Sequence, residues 1–143
     1  MKTAVIFRSF TGHSKKIARA VAAALAVEAQ NIKSNPELKG VDLLFVVGGI
    51  YSGTSLEGML EYVKSLMPEN VKRAALITSS MSDKKGQDEV RSILEANGIE
   101  VETEEYRCRG NFLFLKIGRP NKKEIAGAAE FAKRLAENLK AKK

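Results

Sequence analysis

The sequence predicts a doubly wound α/β domain, a parallel sheet of about five strands with helices on both faces. Three observations carry this prediction. Strand-like and helix-like patterns alternate along all 143 residues. The runs at residues 3–7 and 41–47 are almost uninterrupted in their apolar character, as strands covered on both faces are. Hydroxyl- or glycine-rich turns follow three of the strands, where a sheet of this class carries its ligand.

The elements follow in order. Residues 3–7, Thr-Ala-Val-Ile-Phe, read as the first strand. Ser14 stands where a helix cap belongs, and Ile17, Val21 and Leu25 recur behind it at helical spacing. A short strand is expected around residues 28–32, then room for one helical turn at Asn35-Pro36-Glu37-Leu38. After the strand at 41–47, Ser55 precedes Leu56, Met59, Leu60, Val63 and Leu66, one apolar helical face. The next strand, 74–78, ends in Thr78-Ser79-Ser80, and a helix over about 87–97 stops at Gly98. Residues 101–106 alternate weakly, as a strand near a sheet edge does. Asn121 and Glu124 have capping-box spacing before a last helix with Ile125, Ala128, Ala132, Leu135 and Leu139 as its buried stripe.

Length and composition bound the rest. The chain reads as one domain over residues 1–143, and 44% hydrophobic with 29% charged residues is a globular composition. Cys108 is the single cysteine, which excludes an intramolecular disulfide and a cysteine-cluster metal site and makes a reducing cytoplasm the default. Met1 to Phe7 runs straight into a hydroxyl-rich turn, so no secretory leader is expected. No apolar run approaches the ~20 residues of a membrane span. The net charge of +7 suits an anionic protein partner, while its basic residues are interleaved with acidic ones and cluster only at Lys140-Ala141-Lys142-Lys143, which disfavours nucleic acid.

The chemistry-bearing segment is Ser9-Phe10-Thr11-Gly12-His13-Ser14. The first N–H groups of a helix lack internal partners and carry the positive end of its dipole, so a hydroxyl-rich turn entering a helix is an anion site. Gly12 lets backbone approach a ligand closely. His13, the only histidine, either donates to such an anion or lies exposed, and it permits no two-histidine metal cluster. No G-x-x-x-x-G-K-[ST] and no G-x-G-x-x-G occurs, so P-loop and dinucleotide readings are weak. The turns at 9–14, 48–54 and 78–82 are expected to converge on one crevice.

The first turn resembles the phosphate loop of the flavodoxin family, Ser/Thr-x-Thr-Gly-x-Ser/Thr, through Ser9, Thr11, Gly12 and Ser14, with His13 in the variable place. The resemblance implies that this loop, Phe10 included, wraps the phosphate of FMN, and it brings that family's own three-layer sandwich with strand order 2-1-3-4-5. It further implies that Gly49, Ile50, Tyr51 and Ser52 line the isoalloxazine ring, Tyr51 offering its face for stacking, and that Thr78, Ser79 and Ser80 meet the pyrimidine side. The segments 106–112 and 118–121 also look like small proteins of that family. The function implied is electron transfer between redox protein partners, of an acidic kind such as a ferredoxin-like protein or a reductase. The alternative is an FMN-dependent enzyme, a quinone or NAD(P)H reductase or one similar to protoporphyrinogen oxidase.

The chain departs from the family in lacking Trp and in carrying no aromatic between Thr78 and Asp88. It is also basic where electron-carrier flavodoxins are acidic, and by Coulomb's law a basic surround favours a reduced, anionic flavin. A response-regulator-like reading fits less well, because that class needs paired acidic residues after the first strand, where this chain has Arg8, Ser9 and Thr11.

Overall fold

The computed structural model describes residues 1–8, 13–51, 54–55, 58–80, 87–109 and 122–141; at residues 13, 49–51, 54–55, 79–80 and 108–109 it describes the backbone alone. Strand β1 (Thr3–Phe7) lies second from one edge of the sheet, between β2 (Ala29–Asn31) at that edge and β3 (Leu43–Tyr51) at the centre, all parallel. Strand β5 (Arg73–Ser80) follows β3, and the outermost position holds β6 (Glu100–Val101) and β7 (Tyr106–Arg109), both parallel to β5. The two-residue β4 (Thr54–Ser55) folds back antiparallel on the end of β3. The five parallel positions therefore run 2-1-3-4-5, the expected order.

Strand alternation sorts the core into two faces. Ala4, Ile6, Leu44, Val46, Ala74 and Leu76 point to the face covered by α2 (Met59–Lys64) and α3 (Asp88–Ala96). Val5, Phe7, Phe45, Val47, Ala75 and Ile77 point to the face covered by α1 (His13–Ala24) and α4 (Lys122–Ala141). Burial on both faces explains the almost uninterrupted apolar runs of β1 and β3. No described helix is long and apolar enough to cross a membrane.

Several boundaries differ from the sequence expectation, each for a local reason. Helix α1 begins at His13, so Ser14 lies within its first turn and is not its cap. The helical turn expected at residues 35–38 falls instead at Ile32–Ser34 as one 3₁₀ turn, where Asn31 Oδ1 accepts from the Lys33 N–H. Asn35 then adopts φ 51, and Pro36 disfavours the helical region for the residue before it. The helix expected behind Ser55 starts only at Met59, because 54–55 is strand and Gly58 takes φ 93. Strand β3 continues through Gly48 and Gly49, which read as turn residues in the sequence. The stop at Gly98 is as expected: Gly98 takes φ 88, and the N–H groups of Gly98 and Ile99 donate to the Glu95 and Leu94 carbonyls, closing α3. The cap expected at Asn121 lies outside the described residues.

The fifth strand position, expected as one run over 101–106, is interrupted. Val101 pairs with Ala74 and Tyr106 with Ile77, so the outer chain spends five residue steps where β5 spends three. The surplus residues bulge away from the ladder. This bulge turns Glu105 inward while Glu104 remains outside, where it pairs with Arg134.

Candidate functional site at the carboxyl ends of the strands

The chain reverses direction of travel across the sheet between β1 and β3. From β1 it moves to β2 by way of α1 on one face, and from β3 it moves outward by way of α2 and α3 on the other. At such a switch point the connections leave to opposite faces and open a crevice beyond the strand ends. Register sets Phe7, the last residue of β1, opposite Val47 and through it level with Ile77, while β3 and β5 run on to Tyr51 and Ser80. The Arg8 N–H donates to the Val47 carbonyl at 3.3 Å, tying β1 to β3 at the rim.

The structure treats the expected site residues in three ways. Ser9, Phe10, Thr11, Gly12 and Ser52 lie outside the described residues. His13 is the first residue of α1, Gly49, Ile50 and Tyr51 complete β3, and Ser79 and Ser80 complete β5, each placed by its backbone. Ser14 and Thr78 are described in full. Ser14 is 2% exposed in the first turn of α1, where N–H groups have no helical acceptor. That turn contains no acidic residue, so nothing in it repels a phosphate. The donor set therefore fits an anionic group at this helix start.

Thr78 is fully buried, and its hydroxyl is engaged: Oγ1 donates to Glu105 Oε2 at 2.7 Å and faces Gln87 Nε2 at 3.3 Å. Both partners escaped the sequence analysis as site-forming residues. Glu105 has a side chain 4% exposed and also accepts from the Gln87 main-chain N–H at 3.1 Å, with Arg91 Nη2 at 3.5 Å and Arg107 Nε at 3.6 Å. Arg91 donates a further bond to the Glu102 carbonyl at 2.9 Å, fixing its guanidinium. A buried carboxylate is tolerable only with such a set of donors and cations.

Gln87, at the cap position of α3, turns its side chain onto β3 and β5, where Nε2 donates to the Val46 and Ile77 carbonyls at 3.1 and 3.0 Å. Reversing the amide would set its oxygen against two carbonyl oxygens, so the chemistry fixes its orientation. Its Oε1 is buried with no partner among the described residues. A Cβ on Gly48 would sit 2.6 Å from that oxygen, so glycine at 48 makes room for this side chain. The only sequence signals for the arrangement are a glutamine just before the acidic start of α3 and a carboxylate two residues from Arg107.

A cavity of about 320 Å³ lies elsewhere, between the β2–β3 connection and α2, lined by Asn35, Pro36, Tyr62 and Asn70 among others. Tyr62 donates to the Pro36 carbonyl there at 2.6 Å, and burial pushes its phenol up to about 12. It is remote from the strand ends and holds no cluster of charged groups.

Comparison with known proteins agrees with this architecture. A family model described as a flavodoxin domain matches residues 4–126. No curated protein matches the sequence. Among solved structures, a flavodoxin from the domain Archaea superposes with a TM-score of 0.77 at 20% identity, covering 98% of this chain and 99% of its own. A Fusobacterium nucleatum flavodoxin bound to flavin mononucleotide gives 0.69 at 14% identity, covering 96% and 99%. Rubredoxin oxygen:oxidoreductase from Desulfovibrio gigas gives 0.70 at 18% identity, over 99% of this chain and 36% of that larger protein.

Proposed function

This chain belongs to the flavodoxin family, and from that premise we propose that it binds FMN beyond the ends of β1, β3 and β5 and passes electrons between redox protein partners. The observation that carries the reading is the switch point between β1 and β3, beside which the hydroxyl- and glycine-rich carboxyl ends of β3 and β5 pair with each other. FMN, when bound, supplies the redox chemistry.

The chain's own contribution is binding and orientation. Ser9, Thr11 and Ser14, with Gly12 and the first N–H groups of α1, would hold the phosphate, and Phe10 and His13 would complete that loop. Gly49, Ile50, Tyr51 and Ser52 would line the ring, and Thr78, Ser79 and Ser80 would stand on its pyrimidine side. The Thr78 side chain serves indirectly, since its hydroxyl already serves Glu105. No residue is required as acid or base for electron transfer alone.

Cofactor identity in protein purified from its host, read from the visible spectrum and by chromatography of the released group, tests the reading. FMN is the expected result, and a colourless protein that cannot be reconstituted with FMN overturns it. Thr11→Val with Ser14→Ala removes two donors to a charged group, each worth roughly 1.5–3 kcal/mol, and so weakens FMN binding at least tenfold. Rapid reduction by NAD(P)H with turnover of a quinone would instead assign the chain to the FMN-dependent reductases.

A further inference from the structure

The charge of this protein is divided between its two helical layers. Helices α1 and α4 carry eight basic residues against three acidic ones, whereas α2 and α3 carry two basic against four acidic. The first pair of helices is thus net positive and the second net negative, on opposite sides of the sheet. Lys15, Lys16 and Arg19 of α1 and Lys122, Lys123 and Lys133 of α4 are exposed. None of the six has an ion pair among the described residues. On the opposite layer, Lys64 pairs with Glu61 and Arg91 with Glu105.

Lys15 and Lys16 also stand where local energetics oppose them. The first turn of α1 contains no acidic residue and two lysines, against the positive end of the helix dipole, which is destabilising. Helix α3 follows the ordinary rule, with Asp88 and Glu89 in its first turn. A sequence that departs from local preference at exposed, unpaired positions points to a function outside the fold. The helix start in question is at the rim of the crevice.

We propose that the outer face of α1 and α4 is the docking surface for an acidic protein, the partner with which the bound flavin exchanges electrons; this rests on the electron-transfer reading above. The face suits a brief, charge-steered encounter. It offers no large apolar anchor, since the exposed large hydrophobics described are Met1 and Met67, both outside these helices. The one aromatic of the two helices, Phe131, is 4% exposed, and three glutamates interrupt the cations of α4. Surfaces for single-stranded nucleic acid add accessible aromatics on which bases stack, and this face offers none among the described residues.

Reduced plant-type [2Fe–2S] ferredoxin, an acidic one-electron donor, is the probe. Each encounter moves one electron from its cluster, which is oxidised, to the flavin, which is reduced, and no bond forms or breaks. At saturating FMN the second-order rate falls steeply with salt. The combined Lys15→Glu, Lys16→Glu and Arg19→Glu variant loses about tenfold or more at low ionic strength and most of the salt dependence. The combination Lys39→Glu, Lys64→Glu and Lys72→Glu makes the same charge change elsewhere and loses less than about threefold. An equal loss in both variants, or none in the first, overturns the proposal. So does tight binding of duplex DNA at physiological salt that the α1 substitutions abolish. A protein that takes up no FMN defeats the electron-transfer reading alone; the docking surface is then decided by backbone amide shifts on adding oxidised ferredoxin. Shifts confined to α1 and α4 support it, and shifts on α2 and α3 reject it.

Discussion

At its amino end, β5 begins with Arg73, which pairs with Glu100 and with Glu102 at 3.2 Å while its side chain stays 25% exposed. At its carboxyl end, Thr78, Gln87 and Glu105 form a buried polar cluster closed by Arg91. Water screens the first arrangement, so each charge there can lose its partner and be rehydrated. The second has no such recourse, because an unpaired charge in the interior keeps its full desolvation cost. Charge at the amino end is therefore an accessory to the fold. At the carboxyl end, polar groups that an apolar core would have avoided are built in beneath the expected flavin site, and they fix where β5 ends and α3 begins.

The contrast is broken most directly by removing one carboxylate at each end. Glu105→Leu strands Arg91, the Thr78 hydroxyl and the Gln87 N–H, and is expected to cost about 3–5 kcal/mol in urea unfolding. Glu102→Leu, at the other end, is expected to cost about 1 kcal/mol or less, and less still in high salt. Glu105→Leu combined with Arg91→Met recovers part of the loss, since an apolar replacement of the whole pair leaves no lone charge. Equal costs at the two ends would erase the contrast between them.

Gly48→Ala sharpens it. The added Cβ meets Gln87 Oε1 at 2.6 Å, and the amide that must give way is itself bonded to two strand carbonyls. A loss of about 1–3 kcal/mol is expected by thermal unfolding. Gly48→Ala in a Gln87→Ala background should cost less than in the parent, because the obstructing atoms are gone. If the two costs simply add, Gln87 is not what requires glycine at 48.

These residues also show why the sequence is legible only in part. Strand β1 can be read because Ala4 to Phe7 is buried on both faces, and a continuous apolar run is the direct imprint of that burial. The helix stop at Gly98 can be read because the motif is local. The phosphate-loop pattern is equally local, although four of its six residues lie outside the described structure. Gly48 reads as turn in the sequence because the reason for a glycine there comes from a side chain 39 positions later. Glu105 looks like one more polar residue on an edge strand. Its partners Thr78, Gln87 and Arg91 are 27, 18 and 14 residues away, and only the bulge at 102–105 turns it inward. Local patterns reveal elements and short motifs, whereas support beneath a site depends on tertiary pairing.

Tyr62 carries the same comparison to a neutral buried group. Its hydroxyl donates to the Pro36 carbonyl, and burial raises its phenol from 10.0 to about 12. A raised value means the neutral form is favoured on folding. The stabilisation is thus complete below the ordinary value and is lost as pH rises from about 10 towards 12. Tyr62→Phe should cost about 1 kcal/mol at neutral pH and flatten that alkaline decline. The late phenolate absorbance of one tyrosine in the near ultraviolet should disappear with it. An alkaline limb unchanged in the variant would place the titrating group elsewhere.

The smallest effect is expected one residue away from the largest. Glu104 lies on the outer side of the bulge and receives a bidentate pair from Arg134 at 2.6 and 3.0 Å, while Arg134 also lies 5.6 Å over the Phe131 ring. The hydrogen bonds from Arg134 hold the Glu104 carboxyl below its ordinary value. A lowered value contributes stability above the unfolded group's titration and loses it as pH falls through the folded one. Glu104→Gln should therefore leave the unfolding temperature almost unchanged at neutral pH and flatten only the acid limb. Both effects should vanish in high salt, because the pair is open to solvent. Adjacent carboxylates with such unequal consequences would show that the inward turn of the bulge, more than the number of ion pairs, decides what a charge is worth to this fold. A Glu104→Gln loss comparable to that of Glu105→Leu would refute it.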